Sequence, residues 1–262
     1  MVVLAVAVTV VSPTVPVLAG TVINGCSIVA HPDNVHHTRC PKADLHGADL
    51  YHADLDYANL RSANLDLANL AHASLHYATL IGTILTGADL TGADLTHARL
   101  YDADLDYATL TGADLRHVDL HGADVTRANL YGATLTHALL YYADLDYATL
   151  TGADLTGAYL PQARLYGADL TGARLYNADL DYADLRHADL HGADLTRANL
   201  YSVHLDYANL TNASLTNANL TNANLTNASL TDATLTNVIW NNTICPDGTN
   251  SEDNGGTCEG HL

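Results

Sequence analysis

The chain has few basic residues and almost no phenylalanine or tryptophan. Its 262 residues include 10 lysines and arginines against 29 aspartates and glutamates, a formal net charge of −19. Phenylalanine is absent, tryptophan and methionine occur once each, and the only lysine is Lys42. Such a chain lacks the basic surface that binding to nucleic-acid phosphates requires. The composition therefore argues against a nucleic-acid partner, and the acidic surface favours solubility.

Long hydrophobic runs are also missing. The most apolar stretch, Val2–Val11, is too short to span a membrane. It precedes Val17-Leu18-Ala19 and Gly20, which suits signal-peptidase cleavage, so residues 1–19 are predicted to be a secretory signal peptide. No lysine or arginine precedes the apolar run. A start further upstream therefore stays open, as does a retained segment that adds a strand to the edge of the fold. The predicted location is secreted or at the cell surface, without membrane contact once the signal is removed.

What the sequence has in abundance is a five-residue repeat. From Leu45 to Leu235 every fifth residue is leucine except Val125, which makes 39 consecutive positions. The residue two places earlier is nearly always alanine, and Asp, Asn, Thr or Ser usually stands between the two. A short fixed period identifies a solenoid.

The period of five also predicts the shape of one coil. Leucine and the alanine two residues earlier share one side of an extended segment, while the other positions are polar and point away. Four repeats, each with a short extended part and a corner, close a square of 20 residues. Coils stacked at the strand spacing of about 4.8 Å then build a rod, and residues 20 apart become neighbours.

This pattern resembles the pentapeptide-repeat family over residues 41–240. The resemblance implies an all-β fold, a right-handed quadrilateral β-helix with four pentapeptides per coil and about ten coils. Leucine would fill the interior, and the small alanine would allow the tight square section. Trp240 takes the last leucine position, and we expect its indole to cap the hydrophobic end of the rod.

Four cysteines flank the repeat region, in a predicted N-terminal cap (residues 20–40) and a predicted C-terminal cap (residues 241–262). Four cysteines allow three connectivities. Because the caps lie about a rod's length apart, pairing between them is out of reach of a disulfide. We therefore predict Cys26–Cys40 and Cys245–Cys258, which agrees with an exported protein.

Several outward residues are candidates for cation binding. Three stacked histidines, His97, His117 and His137, would bind zinc or copper, or titrate together near neutral pH. Carboxylates stack in a second column, where they either bind calcium or accept hydrogen bonds from turn amides. The C-terminal tail offers further oxygen ligands on a glycine-rich loop. The carboxylate candidates are Asp104, Asp124 and Asp144 in the column, and Asp247, Asn250, Glu252 and Asp253 in the tail.

All 15 tyrosines lie in the repeat region and are expected to point outward. Tyrosine offers a large contact area with a polar tip, which suits protein or sugar partners. Tyr107, Tyr147 and Tyr207 share one column, but the other tyrosines scatter over all faces. The segment 116–131 recurs almost unchanged at 186–201, 3.5 coils later and so on the opposite face. Such scatter disfavours a single conventional binding patch.

These observations favour an exported structural or interaction protein, a scaffold, surface or filament component without catalytic activity. A filled rod offers no pocket in which acids and bases would be tuned. The expected partners are the protein itself, by end-to-end stacking, or other extracellular proteins or glycans.

Calcium is the one possible cofactor, and a calcium-binding surface protein is the first alternative function. The second is a DNA-mimicking inhibitor of DNA gyrase, which some pentapeptide-repeat proteins are thought to be. This chain differs from those proteins, because it lacks core phenylalanine, a loop between coils and a helical dimerisation segment.

Overall fold

The computed structural model describes residues 21–29 and 31–262, and the predicted signal peptide lies outside them. The chain enters through two short antiparallel strands, β1 (Val22–Ile23) and β2 (Cys26–Ser27). Within the described residues, one helix is present, a 3-10 turn at Ser251–Asn254. Across the same residues, no helix has the length and apolar character of a membrane span.

Between these ends, the backbone forms a ladder of parallel bridges at every fifth residue. Each bridge joins residues 20 apart, from Arg39 with Asn59 to Asn224 with Ile244. In a typical coil, the Leu50 amide donates to the Asn69 carbonyl (2.7 Å), and the Asn69 amide donates to the Ala48 carbonyl (2.9 Å). Consecutive repeats therefore wind in 20-residue coils, and each coil satisfies the backbone groups of its neighbours.

A tight turn follows every leucine and makes the corner of the square. The Ala48 amide donates to the Leu45 carbonyl at 3.0 Å, and Gly47 between them has φ +61°. The same position is left-handed in every repeat, whether it holds glycine or a larger residue such as Tyr57 (φ +57°). Left-handed backbone is strained for residues with a Cβ. Stacking of the coils must therefore stabilise these corners.

The interior is filled by the leucines and alanines of the repeat. Leucines such as Leu110 and Leu165 are at most 1% exposed, and Val125 fits the leucine position at 1%. Thr83, which replaces an alanine, is also fully buried, and its hydroxyl donates to the Leu60 carbonyl at 3.2 Å. An inward polar group is thus tolerated because the backbone of the preceding coil supplies an acceptor.

Disulfides close both ends with the predicted connectivity. Cys26 bonds to Cys40 and Cys245 to Cys258, with Cα–Cα distances of 5.5 and 5.3 Å. Trp240 is 4% exposed, and its carbonyl accepts a hydrogen bond from the Ser251 hydroxyl of the tail. Beside it, the core residues Ala233, Leu235 and Val238 are only partly buried. The indole and the tail therefore cover part of this end and leave the rest open.

Candidate functional surfaces

A stack of five aromatic rings runs along one corner of the rod. It begins at Tyr57 and Tyr77 and continues through His97, His117 and His137. Neighbouring ring centroids are 4.8 to 5.5 Å apart, and the rings lie within 12° of parallel. Each residue occupies the left-handed position of its repeat, so the 20-residue coil alone brings these side chains together.

Three rings of the surface columns lie over a glycine of the next coil. Gly157 follows His137 in the same column, and a Cβ at Gly157 would lie 2.6 Å from the His137 Cε1 atom. Gly92 stands in the same relation to His72, as does Gly167 to Tyr147. The ring of one coil therefore lies over the bare backbone of the next coil, where a Cβ would force the ring to move.

The predicted histidine column is present as a face-to-face stack. The ring planes of His97 and His117 meet at 3°, and those of His117 and His137 at 12°. The ring nitrogens therefore lie in nearly parallel planes and do not converge on one metal ion. Burial, followed by the neighbouring His117 and His76, lowers the pKa of His97. No group of three or more His, Cys, Asp or Glu side chains suited to hold a metal ion occurs among residues 21–29 and 31–262. Metal binding by this column stays a prediction without geometric support.

The predicted aspartate column lies on neighbouring coils, with Asp124 bridging to Asp104 on one side and to Asp144 on the other. Each carboxylate accepts a hydrogen bond from the amide two residues later, at 3.0 Å. Asp144 also accepts a hydrogen bond from Arg164 Nη1 at 2.7 Å. The column thus follows the second of the two expected arrangements, bonding to turn amides, and Asp144 is also neutralised by arginine.

The tail loop is held together by its own side chains. Asp247 accepts hydrogen bonds from the amide and hydroxyl of Thr249 (2.9 and 2.6 Å) and pairs with His261 Nδ1 at 2.8 Å. These contacts, led by the Thr249 hydroxyl, lower the pKa of Asp247 to about 2. Glu252 accepts from the Asn242 amide, and Asn250 caps the 3-10 turn. Asp253 lies in that turn. Most of the predicted ligand oxygens therefore already have protein partners.

The predicted tyrosine column has a member that the sequence interpretation missed. Tyr107, Tyr147 and Tyr207 are all more than half exposed. Between the first two lies Arg127, whose guanidinium carbon is 5.4 Å from the Tyr107 ring centroid and 5.7 Å from that of Tyr147. Tyr207 instead stacks on His187 at 5.0 Å. Reading the sequence at a spacing of 20 would have identified this arginine, because Arg127 lies one coil after Tyr107.

Aspartates that precede tyrosine point into the groove between coils, and their surroundings differ. Asp146 is 7% exposed and is bonded by the Tyr166 amide (2.9 Å) and by Arg164. Asp106 and Asp181 each bury one carboxylate oxygen without a hydrogen-bond partner in the described structure. Burial, reinforced by nearby carboxylates, raises the pKa of both groups. Burial raises the pKa of Asp146 as well, in spite of its hydrogen bonds, so the ionised carboxylate is disfavoured at all three of these Asp-Tyr pairs.

The parallel ladder with its 20-residue coils defines a β-helix of the solenoid class. A family model described as pentapeptide repeats matches in eight copies between residues 34 and 239. The chain belongs to the pentapeptide-repeat family, whose members form right-handed quadrilateral β-helices.

Solved structures of similar proteins come from this same family. HetL, a pentapeptide repeat protein involved in heterocyst differentiation regulation from the cyanobacterium Nostoc sp. strain PCC 7120, is 37% identical. That match covers 82% of this chain and 92% of HetL, with a TM-score of 0.42. Rfr23 from the cyanobacterium Cyanothece 51142 is 44% identical over 32% of this chain and 58% of its own, with a TM-score of 0.32. QnrB1, a plasmid-mediated fluoroquinolone resistance protein, is 15% identical over 75% of this chain and 90% of its own, with a TM-score of 0.38. No curated protein matches the chain.

Proposed function

We propose that the protein is an exported, non-catalytic scaffold, a rod of about ten coils that presents an acidic, tyrosine-bearing surface to other macromolecules. The observation that carries this proposal is the disulfide at each end, Cys26–Cys40 and Cys245–Cys258, with no free cysteine among the described residues. Disulfides persist in oxidising compartments and are rare in the cytosol. Since leucine and alanine fill the interior, binding is left to the outward side chains.

The decisive experiment locates the native protein and reads its N-terminus. Cell fractions are probed with an antibody, the purified protein is sequenced from its N-terminus, and its unreduced peptides are mapped by mass spectrometry. The proposal expects extracytoplasmic protein that begins near Gly20 and contains both disulfides. Cytosolic protein with four free thiols would contradict it.

Calcium binding is a second candidate, favoured by one buried carboxylate oxygen. Asp106 buries an unpartnered carboxylate oxygen, and the charges of Asp124 and Asp104 add to burial in raising its pKa. A cation bound beside Asp106 would offset the repulsion from its two neighbours, although the described residues contain no group of three such side chains suited to hold a metal ion. Calorimetry with calcium, comparing the native chain with Asp106→Asn, tests this role. Absence of binding heat and an unchanged melting temperature at millimolar calcium would remove it.

The gyrase alternative has one supporting feature, the net charge of −19. It predicts protection of gyrase in a supercoiling assay and residence in the cytosol. A mature chain that begins near Gly20 outside the cytosol would never meet that target, so the N-terminal experiment separates the two proposals.

A further inference from the structure

Four tyrosines gather on one side of three consecutive coils, although over the whole rod the tyrosines scatter. We call this surface the tyrosine side; it is formed by residues 139–142, 159–162 and 179–182. Parallel bridges join Leu139 to Tyr159 and Tyr159 to Asp179, so the three segments lie directly one above another. Four side chains of this surface are 40 to 60% exposed: Leu139, Tyr142, Tyr159 and Tyr182. Apolar surface collected in this way marks an interaction site.

Contacts within the tyrosine side hold its rings in place. The Tyr141 ring packs edge-to-face against Tyr142, with 5.8 Å between centroids, and against Tyr159, with 6.0 Å. Gln162 Nε2 donates to the Tyr142 hydroxyl at 3.2 Å. Tyr141 and Pro161 are half-buried and form a middle column between the exposed side chains. Tyrosine offers contact area at a low cost in conformational entropy. An extended chain can therefore lie along the middle column on a surface that is already ordered.

The tyrosine side ends at two carboxylates to which the chain supplies no cation. Asp179 accepts hydrogen bonds from the Asn199 side chain (2.8 Å) and from the Asp181 amide (3.3 Å). In the described part of the chain, neither aspartate forms an ion pair, and Asp181 buries one oxygen without a hydrogen-bond partner. Burial, followed by the charge of Asp179, raises the pKa of Asp181. A positive charge from outside the chain would offset this repulsion.

A corresponding pair of aspartates elsewhere on the rod does have a cation. Asp144 and Asp146 occupy the same two positions of their repeat, and Arg164 of the next coil bonds to both. On the tyrosine side, the position of that arginine is taken by the neutral Asn199. Arginine also fits beside tyrosine rings on this rod, as Arg127 does between two of them. A guanidinium from another molecule would therefore complete an arrangement that the chain makes for itself elsewhere.

The distance between the two ends of the tyrosine side indicates the form of the ligand. Leu139 and Asp179 are two coils apart, which is about 9.6 Å at the coil spacing of about 4.8 Å. A polyproline II chain has three residues per turn and rises about 3.1 Å per residue, so residues three apart face the same way at about 9.3 Å. An apolar residue and a basic residue three positions apart would therefore reach both ends together. Polyproline II segments bind aromatic surfaces, and their stiff backbone loses little entropy on binding.

From the aromatic patch, the unpaired carboxylates and the matching repeat distance, we infer that the tyrosine side binds a basic, proline-rich segment of another protein. The segment would bind in the polyproline II conformation, with prolines on Tyr142 and Tyr159. An arginine three residues away would pair with Asp179 and Asp181. The net charge of −19 on the whole chain would also attract such a partner. This inference rests on the proposed scaffold role and names its partner.

Two labelled peptides test the recognition. One is a decaproline whose sixth residue is arginine, and the other has glutamine at that place. Fluorescence anisotropy with the full chain, both disulfides intact, measures the dissociation constant of each peptide. The arginine peptide should bind about ten-fold more tightly, the difference expected for one charged hydrogen-bonded pair.

Matched variants separate the acidic part of the site from the aromatic part. Asp179→Asn should weaken binding of the arginine peptide about ten-fold and leave the glutamine peptide unchanged. Asp189→Asn is its control, because Asp189 lies on another side and accepts the corresponding hydrogen bonds, from the His191 amide (3.0 Å) and the Asn209 side chain (2.9 Å). Tyr159→Ser should weaken both peptides about five-fold.

Two further variants complete the test. Tyr131→Ser removes an exposed tyrosine from another side and should change neither affinity. Asn199→Arg gives the chain its own arginine beside the two carboxylates and should abolish the preference for the arginine peptide. No binding of either peptide at millimolar concentration, equal affinity of the two, or equal effects of Asp179→Asn and Asp189→Asn would each overturn the inference. Tighter binding of a chitin hexasaccharide, lost in Tyr159→Ser, would overturn it in favour of a glycan. A chain that binds neither peptide but is exported with both disulfides would leave the scaffold proposal intact.

Discussion

The contact between His137 and Gly157 yields the most specific prediction about stability. Gly157→Ala introduces a Cβ 2.6 Å from the His137 Cε1 atom, and we expect the ring to shift out of its stack on His117. Gly112 has the same left-handed backbone, φ +62° against +64°, but a Cβ added there would have nothing within 4 Å. Gly112→Ala therefore reports the cost of the backbone conformation without the contact.

The two substitutions should differ by the value of the lost stack. An alanine in left-handed backbone costs about 1–2 kcal/mol, and an aromatic pair contributes about 0.5–1.5 kcal/mol. We therefore expect Gly112→Ala to lower the free energy of unfolding by about 1–2 kcal/mol and Gly157→Ala by about 1.5–3.5 kcal/mol. Guanidinium denaturation followed by circular dichroism measures both.

A double-mutant cycle isolates the contact. In a His137→Ala background the ring is absent, so Gly157→Ala should cost no more than Gly112→Ala does in the native chain. Equal losses for the two glycine substitutions, or an excess at Gly157 that persists without His137, would refute the reasoning.

Three further predictions concern charges and the C-terminal cap. His97 has a lowered pKa, caused first by burial and then by His117, so the unfolded chain binds more protons below about pH 6.5. Acidification through that range should lower the melting temperature of the native chain more than that of the His97→Gln variant, as thermal melts across pH will show. Asp181 has a raised pKa, caused by burial and then by Asp179. At pH values just above the pKa of this group in the unfolded chain, the folded chain therefore binds more protons than the unfolded chain does. Asp181→Asn should raise the melting temperature at pH 7, a gain that disappears below about pH 4; a loss at pH 7 would contradict it. Cys245→Ser opens the C-terminal disulfide, which closes 13 residues, and should cost about 3 kcal/mol. Faster hydrogen exchange confined to the last coil and the tail will distinguish this loss from global unfolding.

Much of the fold was predictable from the sequence because its repeat is short and unbroken. A leucine every fifth residue specifies the hydrophobic interior of the rod, and the small alanine two places earlier specifies its narrow cross-section. Reading the chain at a spacing of 20 predicts the stack of His97, His117 and His137, and it would also have found Arg127 between Tyr107 and Tyr147. These neighbours follow from the period, because the rod places residue i beside residue i + 20.

Other features depend on side-chain directions that the period does not contain. The sequence left open whether the aspartate column binds cations or turn amides. The structure directs each carboxylate of the column to the amide two residues later and adds Arg164 at Asp144. The glycines beneath His72, His137 and Tyr147 were not foreseen either, because the lean of one ring over the following coil is a three-dimensional contact.

The sequence by itself determined the solenoid, its inward and outward positions and its cysteine pairing, because each follows from a five-residue period repeated without interruption. Only the tertiary structure decided how the rod ends. The tail after Cys245 folds back over two sides of the last coil and leaves the amides of Leu230 and Leu235 without acceptors. The reason is physical: inside the rod each coil pairs with the next, whereas the last coil has no following repeat and depends on wherever the chain beyond it folds.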